Sequence, residues 1–118
     1  MIRFLCPVLL MFVMIAQAQG NDDVTGIWKN TFDDFSVSFW ELTPLKNGIY
    51  DAQEVGLGNR NGTASCKDGV LTIQFKVDDH TGVYVWQLKD RAGKGIYTQT
   101  HTDGQVLKLK TSVRFIGK

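Results

Sequence analysis

The sequence predicts an all-β fold, an eight-stranded antiparallel up-and-down (meander) barrel. Three observations carry this expectation. Apolar and polar residues alternate with period two in several short segments. Glycine-centred breaks separate those segments. No stretch of helical period follows the apolar start.

The chain has 118 residues. Residues 1–18 read as a secretory signal peptide. Arg3 supplies the positive start, Phe4 to Ile15 is almost wholly apolar, and Ala16-Gln17-Ala18 is a small-x-small cleavage site. The apolar run is shorter than the roughly 20 residues of a membrane span. Cys6 lies near the start of the apolar region and far ahead of the cleavage site, so it is badly placed for lipid attachment. Residues 19–118 then form a single domain, secreted or periplasmic, with no membrane span after cleavage.

The strands follow in order. Residues 24–31 hold Gly26, Ile27 and Trp28 and end at Asp33-Asp34. In 35–42, Phe35, Val37 and Phe39 alternate with Ser36 and Ser38, which predicts that the three apolar residues face the core. Lys46-Asn47-Gly48 opens 48–55, and Asn59 to Gly62 opens 61–67. Lys67-Asp68-Gly69 leads to 70–77, where Leu71, Ile73, Phe75 and Val77 alternate with polar residues. Breaks at Asp78 to Gly82 and at Asp90 to Gly95 bound 82–89 and 95–102. Asp103-Gly104 is a two-residue hairpin signal, because Asp-Gly accepts the positive φ of a type I′ turn. The last segment, 105–115, alternates from Val106 through Leu107 and Leu109 to Val113 and Phe115. Sequential hairpins favour a closed meander over an open β-sandwich, since closure removes the sheet edges. An eight-stranded barrel is either filled by side chains or holds one small ligand.

Composition excludes several classes. Loss of Arg3 with the leader leaves equal numbers of acidic and basic residues, so nothing draws the chain to nucleic acid. Cys66 becomes the only cysteine, which leaves no internal disulfide, and the domain must stand on its core. There is no phosphate loop, nucleophile elbow or paired-carboxylate motif, so no enzyme is expected. Asp78, Asp79 and His80 share a turn, but metal motifs such as HxH, CxxC and HExxH do not occur, so neither a metal nor a cofactor is expected. The remaining enzymatic candidates are His101 and Cys66. The parity of His101 with Tyr97 and Gln99 places it outside the barrel. Asn61-Gly62-Thr63 is a glycosylation acceptor only in a eukaryotic secretory route.

The wording of the chain resembles the calycin group, which includes lipocalins and avidins. "TGIWKN" resembles the first strand of the avidin family, where a Trp is followed two residues later by a ligand-binding Asn; Trp28 and Asn30 match. "GIYDA" resembles that family's third strand, with Tyr50 in place and Ala52 where a Ser would stand. Phe75 falls where the family carries a Trp, and Trp86 falls near another wall Trp. Thr100 replaces an expected aromatic and Asp34 a Ser. The resemblance implies a lipocalin-like barrel with Trp28, Asn30, Tyr50, Ala52, Phe75 and Trp86 inward. The losses remove hydrogen-bond partners for a ureido group, so biotin is not the expected ligand.

Two functions follow as expectations. The first is binding of a small apolar or aromatic ligand by Trp28, Asn30, Tyr50, Phe75 and Trp86, without catalysis. The alternative is a protein-interaction module, or an inhibitor of an exported enzyme, working through loops or through Trp40. Trp40 is out of phase with Phe35, Val37 and Phe39, so it should face outward; a bulge would return it to the core.

Overall fold

The computed structural model describes residues 23–56 and 58–118. The expected leader, with Arg3 and Cys6, lies outside the described residues. The eight strands are β1 (Gly26–Phe32), β2 (Val37–Pro44), β3 (Ile49–Val55), β4 (Asn61–Lys67), β5 (Val70–Val77), β6 (His80–Lys89), β7 (Ala92–His101) and β8 (Val106–Gly117). Each pairs antiparallel with the next, and β8 returns to β1 to close the barrel. The expected meander is therefore present. The main difference in bounds is at the starts of β6 and β7: Asp78-Asp79 alone makes the turn before β6, and Asp90-Arg91, both at positive φ, alone makes the turn before β7.

The N-terminal end of the barrel is plugged by Trp28. Its ring meets Phe115 edge-on at 5.3 Å, and its Nε1 donates to the Val24 carbonyl at 2.9 Å. Gly26 has a φ of 132°, and a Cβ there would overlap the Phe115 ring and the Gly117 carbonyl. Only glycine lets β1 pass this close to β8. The large aromatic near the chain start is thus covered from both sides.

Cross-strand register corrects three expectations. Directly opposed residues of an antiparallel pair point to the same face. Trp40 opposes Trp28 and is fully buried, so it presents no outward face. No bulge is needed: Ser38, Trp40 and Leu42 form the inner row of β2. Phe35, Val37 and Phe39 belong to the outer row, and Phe35 precedes the strand altogether. Second, Tyr97 opposes Tyr84 and is buried, so Tyr97, Gln99 and His101 lie on the inner side of β7 rather than outside. Third, Leu107 and Leu109 share the inward parity of Thr111 and Val113 yet remain 45% and 37% exposed. Val106 to Lys110 pair only with β7, so this part of β8 has no strand on its other edge.

Candidate functional site

The interior of the barrel is built around Tyr84. Its ring lies 4.8 Å from Trp86 and 4.5 Å from Tyr97, with Trp40 at 5.8 Å, Phe32 at 6.1 Å and Phe75 at 6.5 Å. Trp40 and Phe75 stack on each other at 5.7 Å, and Phe75 stacks on Tyr97 at 6.3 Å. Phe75 reaches this position because Gly82 opposes it across β5 and β6; a side chain there would overlap its ring. Such ring pairs add about 0.5–1.5 kcal/mol each beyond area burial.

All five residues expected to bind ligand are inside, but at two levels. Trp28 and Tyr50 hold the N-terminal segment: the Val24 amide donates to the Tyr50 hydroxyl at 3.2 Å. Asn30, Phe75 and Trp86 join the Tyr84 group. Asn30, fully buried, accepts from the Thr111 hydroxyl and donates to Ser38 Oγ at 3.1 Å. This polar row crosses from β8 through β1 to β2. It ends beside the Tyr84 hydroxyl, which faces Ser38 and the Trp40 indole.

Three buried polar atoms here have no hydrogen-bond partner among the described residues: Trp40 Nε1, Tyr84 OH and Trp86 Nε1. Each is a donor, and each unmet donor costs about 1–3 kcal/mol when buried. Burial is the main influence on the Tyr84 hydroxyl and pushes its pKa up. Tyr97 is pushed up to about 12, again chiefly by burial, with the Tyr84 hydroxyl adding to the rise. Both phenols therefore stay neutral donors at any physiological pH.

Glu54 and Arg60 close the top of this group. Glu54 continues the inward row of Tyr50 and Ala52 and is only 5% exposed. Arg60 reaches it with two parallel bonds, Nε to Oε1 and Nη2 to Oε2, both 2.7 Å, and its backbone accepts from the Glu54 amide at 2.7 Å. Gly58 leaves room for the carboxylate; a Cβ would collide with it. The guanidinium also lies 4.6 Å over the Phe75 ring. Burial pushes the Glu54 carboxyl up, but Arg60 outweighs it and the net shift is downward. The β3–β4 connection is thereby strapped across the barrel mouth by one ion pair.

Sequence reasoning missed Tyr84, Tyr97, Ser38, Glu54, Arg60 and Thr111. Tyr84 was available from Trp86, two residues on in the same strand. Glu54 was available from Tyr50 and Ala52 in the same way. Arg60 and Thr111 carry no such signal, because only barrel closure and the loop path bring them in.

Comparison with family models, curated proteins and solved structures returns no match for this chain. The eight-stranded closed barrel is compatible with the calycin build. Among the described residues, no helix is long and apolar enough to cross a membrane.

Proposed function

We propose that this chain is an exported, calycin-like binding protein. It takes a small, flat molecule bearing hydrogen-bond acceptors into the mouth of the barrel and does no chemistry on it. The observation that carries this reading is the cluster of unmet donors, Trp40 Nε1, Tyr84 OH and Trp86 Nε1, set among stacked rings beside the Asn30–Ser38 pair. Rings favour a flat apolar body, and bare donors favour carbonyl or similar acceptors on it. The rings pack closely, so entry requires the Arg60–Glu54 strap to release and Phe75 or Tyr97 to rotate.

The test is intrinsic tryptophan fluorescence of the purified protein, titrated with flat carbonyl-bearing compounds, biotin included as a ureido probe. A saturable shift that is lost in Tyr84→Phe, with the fold intact, supports the reading. An unresponsive spectrum across the panel, or binding untouched by Tyr84→Phe, refutes it.

A second reading rests on Phe35. This residue is 84% exposed at a φ of 69°, an uncommon conformation outside glycine. The β1–β2 turn holds it there: Asp34 Oδ1 accepts from the Ser36 amide at 2.9 Å and hydroxyl at 2.6 Å, and the Phe35 amide donates to Phe32 at 2.8 Å. An outer groove of about 700 Å³, lined by Thr31, Phe32, Phe35, Ile96 and Lys110, adjoins it. A protein partner would seat on this ring. Loss of that partner in Phe35→Ser, with Tyr84→Phe neutral, would favour interaction over ligand binding.

A further inference from the structure

The β6–β7 pairing creates a cluster that the sequence leaves apart. His80 opposes His101 directly across the two strands, and their rings lie 5.3 Å apart. Asp79, the last residue of the β5–β6 turn, reaches His80 Nδ1 at 2.7 Å. One donor atom from each of Asp79, His80 and His101 lies within 4.8 Å of the others. We infer that His80 and His101, with Asp79 orienting the His80 ring, form a binding site for a divalent transition-metal ion at the rim of the barrel.

Four features support the site. Two imidazoles are ligands suited to Zn²⁺ and its neighbours, with the remaining positions left for water, and a carboxylate on the far ring nitrogen is the usual orienting partner of a ligand histidine. The His80–Asp79 bond places the ring proton on Nδ1, so Nε2 keeps a bare lone pair. That atom is buried and has no hydrogen-bond partner among the described residues. His101 Nε2 takes its contact from Gln99 at 2.8 Å, and Gln99 is in turn held by Tyr97 at 2.7 Å, so the second imidazole is oriented too. The backbone is pinned as well: the Thr102 amide donates to the Asp79 carbonyl at 3.1 Å, tying the two rim turns together.

The spacing is near what an ion needs. With bonds of about 2.0–2.1 Å, donors around a tetrahedral ion stand about 3.3 Å apart. A small rotation of the half-buried His101 closes the difference. Only this closure is asked of the protein. The site does not depend on the ligand-binding reading, because it uses none of the Tyr84 donors.

The test is titration of the untagged, purified protein with zinc chloride by calorimetry, and with cobalt chloride by visible absorption. The expected result is one saturable site per chain. Affinity should fall at least about tenfold in His80→Gln and in His101→Gln, and about tenfold in Asp79→Asn. Cobalt should give the weak-field bands of a nitrogen–oxygen site. Circular dichroism establishes that the variants remain folded, and because the three substitutions are separate, failure of one to fold leaves the others decisive. No saturable binding of either metal overturns the inference, as does binding indifferent to His101→Gln. An intense sulfur-to-cobalt band also overturns it, since that would place the ion on a cysteine.

Discussion

Arg60→Ala isolates the strap at the barrel mouth. Glu54 is 5% exposed, and its main compensating charge is Arg60, bonded through both carboxylate oxygens. Removing one partner of a buried pair costs about 3–5 kcal/mol, because the other charge is left uncompensated. Arg60 itself is 26% exposed, and its loss admits water to the carboxylate, so the lower end, about 3 kcal/mol, is expected at pH 7. For a domain of this size each kcal/mol moves Tm by about 4–8 °C, which gives a fall of about 12–24 °C. The pH dependence supplies the sharper check. In the native protein the Glu54 carboxyl is held below its ordinary value, so its contribution is present above about pH 4.3 and is lost as pH falls through the folded value. In Arg60→Ala only burial remains, which raises that value. The stranded charge then destabilises at neutral pH, and protonation relieves it on acidification. The gap in Tm between the two proteins should therefore shrink between pH 7 and pH 4. Asp23, Asp34 and Asp79 are also shifted downward, but they are common to both proteins and cancel in the difference. Differential scanning calorimetry across that range is the assay. A gap that does not change with pH, or one below about 1 kcal/mol, would refute the argument that Glu54 is a buried charge held by Arg60.

Other outcomes follow from the same packing. Gly82→Ala should destabilise by about 1–3 kcal/mol in urea unfolding, because the new methyl overlaps the Phe75 ring. Trp28→Ala should cost about 3–5 kcal/mol by the same measurement, since it unplugs the barrel and releases Val24. Tyr84→Phe should leave stability unchanged or slightly raised in the unliganded protein, because it removes a buried hydroxyl that has no partner. All three tyrosines of the chain have raised pKa values, chiefly from burial. Ultraviolet titration should therefore show little phenolate near pH 10 in the folded protein. Their contribution to stability is fully present below about pH 10 and is lost as pH rises towards the folded values.

Much of the architecture was legible in the sequence. Period-two alternation and Asn-Gly or Asp-Gly breaks determine eight short strands in meander order, because side-chain parity and positive φ are local properties. The inward set Trp28, Asn30, Tyr50, Phe75 and Trp86 followed from local wording and parity, and all five are buried. Parity has two phases, however, and local pattern does not choose between them. In β2 the outer row of Phe35, Val37 and Phe39 is as apolar as the inner row of Ser38, Trp40 and Leu42, so the choice fell to the pairing of Trp40 with Trp28. The same holds for β7, where Tyr84 opposite Tyr97 turns Gln99 and His101 inward. Closure of β8 on β1 brought Thr111 to Asn30, and the path of the β3–β4 connection brought Arg60 to Glu54. Those contacts, and the meeting of His80 with His101 at the rim, depend on register between strands far apart in sequence. Register is a property of the assembled sheet, and only the tertiary structure decides it.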